Sequence, residues 1–250
     1  MKLVTAITNS IDDSIKKYVS YFLEKEITDM VKDNTDFSPI TIPDGFIVFI
    51  SGVPGVGKTT ISYELFRRCD KFRIIEETDI IREILLGYND YLKNEFGDKI
   101  DFMLKKINIT DHTKLLTLNE AKEQCIHMKS SLEQIVARQQ RKGIATIING
   151  VHIIPEVLNG IADNKNVVYI NLYVTSANKI YNRISHRNPS SYMLEYIPLI
   201  FQTNFDLYVN TQKIASNTPY IFNINVTKLT IEDTIEKIVS CLTDFIANSH

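Results

Sequence analysis

Three observations predict an α/β fold of three layers, with five parallel strands between two layers of helices and a helical extension at the N-terminus. Short apolar runs alternate with helical stretches from residue 46 onward. The runs are nearly continuous in Val, Ile, Phe and Tyr, as parallel strands covered on both faces are. The first run, Phe46-Ile-Val-Phe-Ile50, leads into Gly52-Val53-Pro54-Gly55-Val56-Gly57-Lys58-Thr59, a GxxxxGK[ST] sequence, and a helical pattern starts at Thr60. The order strand, glycine loop, helix turns a string match into a structural expectation.

The elements can be justified in turn. Residues 1–44 read as an attachment to a main domain of residues 45–250. Ser10 is placed to cap a helix whose apolar positions are Ile11, Ile15, Tyr18, Val19, Phe22 and Ile27. That stripe either packs on the main domain or makes a homodimer contact or a cover over the ligand. Packing is the simpler reading. Asn34–Asp44 contains two prolines and no helical period, which suits an extended lead-in. Arg73–Glu76 reads as a second strand and Thr78–Leu86 as the start of a helix; Gly87–Asp111 is polar and fits helix or loop equally. Ala121, Cys125, Met128, Leu132, Ile135 and Val136 form a helical stripe that Gly143 ends. Ala145–Ile148, Val167–Val174 and Tyr220–Ile224 complete the strands. A helix carrying Ile180, Tyr181 and Ile184 follows the fourth, and Ile231, Ile235, Ile238, Val239, Leu242 and Phe245 line a closing helix.

The glycine loop has a specific chemistry. Glycines let successive backbone N–H groups converge on phosphate oxygens, and the following helix N-terminus adds partial positive charge. Gly52 to Thr60 would therefore hold the phosphates of ATP, with Lys58 neutralising the β- and γ-phosphates and the Thr59 hydroxyl ligating Mg²⁺. The alternative, a glycine-rich turn that binds nothing, leaves the flanking strand and helix unexplained. This is the P-loop NTPase pattern.

Composition narrows the partners. With 44% hydrophobic and 23% charged residues over 250 positions, the chain suits a globular protein with a sizeable core. A net charge of −2 supplies no general attraction for nucleic acid or anionic lipid. No apolar stretch approaches the ~20 residues of a membrane span, and the N-terminus lacks a signal-peptide core. Cys69, Cys125 and Cys241 are isolated, so reduced thiols in a cytoplasmic protein are expected. The histidines show no ligand spacing, so no structural metal is expected.

Within P-loop proteins, a regulatory GTPase would carry an NKxD base reader; Asn164-Lys165-Asn166-Val167 lacks the aspartate. A motor-type ATPase would end its third strand in acids, whereas Ile147-Ile148 runs into Asn149-Gly150-Val151-His152. A small-molecule kinase needs an acid near the acceptor and arginines near the transferred phosphate. Asp79 and Arg82 lie three apart where the second strand meets its helix, at the sheet edge that lines ligand crevices. They suit a proton acceptor and an anion grip, or equally a helix cap and a surface ion pair. Arg183 and Arg187 lie one turn apart after the fourth strand and suit either an anion clamp or a solvated basic face. His152 reads equally as a site residue or a hydrogen-bonded structural one.

Together these residues resemble the 2-phosphoglycerate kinase family of P-loop kinases. The resemblance rests on Gly52–Thr59, Thr78-Asp79-Ile-Ile-Arg82-Glu83, Gly150-Val151-His152 followed by Pro155, and Arg183 with Arg187. It implies transfer of the ATP γ-phosphoryl group to a hydroxyl of a small, anionic acceptor, with Mg²⁺. It places Asp79, Arg82, Asn149 and His152 at the acceptor, and Lys58, Arg183 and Arg187 at the phosphates. The chain departs from the family pattern where Asn149 replaces an acid and where no arginine follows Arg187. A larger acceptor (a nucleotide sugar or a polynucleotide 5′-hydroxyl) and a nucleotide-binding module without catalysis are the alternatives.

Overall fold

A computed structural model describes residues 40–97, 117–162, 166–216, 218 and 220–248. The expected N-terminal helix, most of the lead-in and residues 98–111 of the ambiguous segment lie outside the described residues.

Five parallel strands form one sheet: β1 (Ile47–Ser51), β2 (Phe72–Glu77), β3 (Ala145–Asn149), β4 (Val167–Tyr173) and β5 (Ile221–Asn225). Their order across the sheet is β2-β3-β1-β4-β5. Every residue of β1, β3 and β4 is buried, as unbroken apolar runs in a doubly covered parallel sheet require. The edge strands β2 and β5 are partly covered. Each strand begins or ends within two residues of its expected bounds.

The helices are α1 (Lys58–Arg68), α2 (Thr78–Phe96), α3 (Leu118–Arg141), the single turn α4 (Asn159–Ala162), α5 (Ala177–Arg187), α6 (Ile197–Ala215) and α7 (Ile231–Asn248). Alternation along β1 divides the core. Val48 and Ile50 pack with Leu65 of α1, Ile180 and Ile184 of α5, and Ile235, Ile238 and Leu242 of α7. Ile47 and Phe49 face the other way, toward Ile81 of α2, Cys125, Met128 and Leu132 of α3, and Leu207 of α6. Phe49 stacks on Tyr169 with ring centroids 4.7 Å apart.

Local chemistry explains the boundaries. Thr117 and Glu120 form a reciprocal capping box at the start of α3, and Gly143 at φ +66° leads out of its end. Two apolar positions depart from expectation: Tyr181 and Ile231 are exposed rather than buried, Tyr181 beside the buried stripe of its helix and Ile231 as the first residue of its own. The ambiguous segment is helical at least to Phe96, and Gly97 at φ +56° caps α2. The three cysteines are free thiols, and burial pushes Cys69 and Cys241 up to about 11 and Cys125 up to about 12, so their thiolates are scarce at neutral pH.

The topology locates the site. β1 pairs with β3 on one side and β4 on the other, so consecutive connections diverge at its carboxyl end. Ligands of open parallel sheets bind at that point.

Candidate active site

The loop leaves β1 at Ser51, whose hydroxyl donates to the Ile153 carbonyl at 2.7 Å and ties the exits of β1 and β3 together. Gly52 has φ +140°, and a Cβ there would stand 2.5 Å from the Leu172 carbonyl oxygen. Only glycine fits that backbone. Val53 and Val56 are buried beneath the loop, while Pro54, Gly55 and Gly57 are half-buried. α1 starts at Lys58 with no side-chain cap, which leaves its first-turn amides open to an anion. Thr59 and Thr60 are exposed at this end.

Lys58 folds over its own loop, its ammonium donating to the Val53 carbonyl at 3.1 Å. Burial holds its pKa down to about 8; nearby Asp79 and Glu77 oppose the shift and Arg187 adds to it. Carboxylates from the β2–α2 junction and an arginine from α5 therefore lie within electrostatic reach of the loop lysine.

The β2–α2 junction and the β3 exit interlock. Glu77 and Asn149 are register partners, so Thr78 and Gly150 follow side by side. A Cβ on Gly150 would sit 1.7 Å from the Thr78 hydroxyl oxygen, which makes glycine obligatory. Thr78 and His152 are fully buried, and Thr78 Oγ1 and His152 Nδ1 share a hydrogen bond of 2.9 Å. Burial pushes the imidazole down to about 4, with Asp79 opposing and Arg82 and Lys58 adding to the shift, so the ring is neutral at physiological pH. Its Nδ1 lies 3.6 Å from the Asp79 carboxylate, and its Nε2 is buried with no hydrogen-bond partner among the described residues.

Two further polar atoms at this edge are buried and have no hydrogen-bond partner among the described residues. One is Nε of Arg82, a side chain 11% exposed whose Nη2 donates to Glu83 at 3.1 Å. The other is Nδ2 of Asn149. Asp79, by contrast, is 61% exposed. Unpaired buried donors are rare because each forfeits its hydration, and an anionic ligand would satisfy them.

The α5 arginines part company. Arg187 is exposed and within electrostatic reach of Lys58. Arg183 is half-buried, its guanidinium donating to the Val56, Gly55 and Val226 carbonyls at 2.7, 3.4 and 3.1 Å. The structure thus gathers Lys58, Asp79, Arg82, Asn149, His152 and Arg187 at one sheet edge, and sets Arg183 against loop backbone. Sequence reasoning passed over Glu77 and read Thr78 only as a helix start and a motif position, with no role at the site. Adjacency to Asp79 was the available signal, but their pairing with Asn149 and His152 exists only across strands.

A sheet ordered β2-β3-β1-β4-β5, a glycine nest after its central strand and an uncapped helix behind the nest define the P-loop kinase fold. A gluconokinase from Sinorhizobium meliloti 1021 shares it, with TM-score 0.52 and 11% identity over 82% of this chain and 95% of that one.

By sequence, the chain is similar to curated 2-phosphoglycerate kinases. It is 25% identical over 220 residues to that of Methanococcus maripaludis strain C7, covering 81% of this chain and 66% of the relative. With that of Methanocaldococcus jannaschii it shares 24% over 241 residues, 93% of this chain and 74% of the relative. The Methanothermobacter thermautotrophicus protein is 25% identical over 221 residues, 79% of this chain and 65% of its own length. The chain thus spans about two thirds of the length of the first of these relatives. No protein-family model matches it. Among the described residues, no helix is long and apolar enough to cross a membrane.

Proposed function

We propose that this protein is an ATP-dependent kinase acting on a hydroxyl of a small anionic acceptor, with 2-phosphoglycerate the first to test. One observation supports the reading: a glycine loop and the uncapped start of α1 share a sheet edge with Arg82 Nε and Asn149 Nδ2, which are buried with no hydrogen-bond partner among the described residues. Two donors and one formal positive charge suit a carboxylate or phosphate of an acceptor. The curated relatives, all called 2-phosphoglycerate kinase, support the same class.

Residues 45–250 are the catalytic unit in this reading, with 1–44 an attachment. The loop amides and first turn of α1 hold the triphosphate, and Lys58 leaves the Val53 carbonyl for phosphate oxygens. Thr59 is the hydroxyl placed to ligate Mg²⁺, and Glu77, beside Asn149, is the carboxylate that restores the negative charge missing from β3. When bound, Mg²⁺ neutralises charge on the phosphates. Asp79 accepts the proton of the attacking hydroxyl, Arg82 and Asn149 grip the acceptor's anionic group, and Arg187 stabilises charge on the transferring group. His152 stays neutral and holds the Thr78 end of α2. Transfer is direct, so positioning and electrostatics carry the catalysis.

Incubation with γ-labelled ATP and a panel of acceptors tests the reading. Label on 2-phosphoglycerate or another small hydroxy acid is the expected result. Label on a nucleotide sugar or a 5′-hydroxyl oligonucleotide alone would replace the small acceptor with a larger one. Tight ATP binding without transfer to any acceptor would leave a nucleotide-binding module. A Lys58→Ala protein that binds ATP as well as the parent would remove the nest assignment itself.

A further inference from the structure

We propose that Arg183 is a positioning residue that staples the phosphate loop to the chain leaving β5, setting the nest before nucleotide arrives. The inference rests on the nucleotide-binding reading above and revises what the sequence suggested for this arginine.

The guanidinium fork reaches two segments far apart in sequence. Nη1 donates to the carbonyls of Val56 and Gly55, 127 and 128 positions away, and Nη2 to that of Val226, 43 positions away. A planar fork offers donors from separate nitrogens at a fixed spacing, one to each segment, whereas a lysine must serve both from a single nitrogen.

The contact matters because a trans peptide is a rigid plane with its C=O and N–H pointing in opposite directions. Pinning the Val56 carbonyl from one side aims the Gly57 N–H to the other, which is how a nest presents its amides. The surface behind the loop belongs to the same helix. A Cβ on Gly55 would meet Ile180 at 3.0 Å and Ile184 at 3.2 Å, and one on Gly57 would lie 3.9 Å from Arg183 Nη1. One face of α5 (Ile180, Arg183, Ile184) is therefore the bed of the loop. The β5 exit is itself organised: Asn225 accepts from the Thr227 amide at 3.0 Å and hydroxyl at 2.6 Å, and Thr227 accepts from the Thr175 amide at 2.7 Å. The staple thus joins the loop that grips phosphates to another carboxyl-end segment of the ligand crevice. The guanidinium also loses hydration here, which depresses its pKa, a state tolerable because backbone carbonyls replace the lost water.

The test compares Arg183→Met, Arg183→Lys and Arg187→Met with the parent. Three readouts are taken: Mg-ATP and Mg-ADP affinity by calorimetry, Tm of the free protein, and amide exchange at Gly57. Arg183→Met is expected to weaken ATP and ADP by a similar factor, about tenfold, to lower the free-protein Tm, and to speed exchange at Gly57. Arg183→Lys restores the charge without the fork and recovers only part of each. Arg187→Met loses ATP affinity selectively and keeps the Tm. If Arg183→Met instead loses ATP far more than ADP while Tm and exchange hold, the arginine meets the γ-phosphate and the staple is wrong. A lower Tm with both affinities intact overturns it too, by reducing the contact to a stability role. A parent that binds neither nucleotide defeats the kinase reading, while Gly57 exchange in the free proteins still decides the staple.

Discussion

Lys58 bonds its own loop at the Val53 carbonyl, and its pKa of about 8 ties nucleotide binding to pH. The sign follows from the charge: the phosphates need the ammonium, and the depressed pKa means that the free protein loses that proton above about pH 8. Binding there must take up a proton, so Mg-ATP affinity is expected to fall by about tenfold per pH unit above pH 8 and to be flat below it. Calorimetry across pH 6.5 to 9.5 measures this, and Lys58→Arg, which stays charged, is expected to flatten the profile (pH range on the order of ordinary lysine and imidazole titrations). At this scale the sequence was legible where chemistry is local. Glycines at 52, 55 and 57 followed by Lys58 and Thr59 announce a nest because neighbours along the chain build it. The Thr78–His152 bond joins positions 74 apart and had no sequence signal. Nor had the turn of Arg183 onto Gly55, Val56 and Val226, since one residue type serves phosphates and carbonyls alike.

α2 shows what happens when an element has little core to define it. Of its residues, only Thr78 and Ile81 are buried, while Ile80, Ile84, Tyr88 and Tyr91 are exposed. With the apolar residues split between faces, periodicity could not separate helix from loop beyond Gly87. The helix passes through Gly87, where a Cβ would meet nothing within 4 Å. Gly87→Ala is therefore expected to stabilise the fold by about 0.5–1 kcal/mol, chiefly through lost freedom in the unfolded chain. In a thermal melt this reads as a rise of about 1–4 °C. An unchanged or lower Tm would mean that the glycine serves a contact or motion in α2. α3 is the opposite case: its apolar stripe and Gly143 made its body and its C-terminal end readable, whereas the Thr117/Glu120 box that starts it was found only in the structure.

Across the whole molecule, side-chain amides pin helices to strand ends. Asn204 of α6 accepts from the Val174 amide at 3.1 Å and donates to the Val174 carbonyl at 2.8 Å, all of it buried where β4 leaves the sheet. Asn204→Ala leaves a buried donor and acceptor unpaired and is expected to cost about 2–4 kcal/mol, read by chemical denaturation. A loss under about 0.5 kcal/mol would show that water replaces the amide without penalty. Such cross-sheet pairings separate the two sources of information about this protein. The sequence alone determined the fold class, the five strands and the glycine loop, because unbroken apolar runs, helical stripes and a glycine-rich turn are all written between near neighbours. Tertiary structure alone decided that Glu77 stands beside Asn149, that Thr78 fills the space Gly150 leaves, and that Arg183 and Arg187 face different partners. Those outcomes depend on which strands lie side by side and on which buried polar atoms find partners, and separation along the chain carries neither.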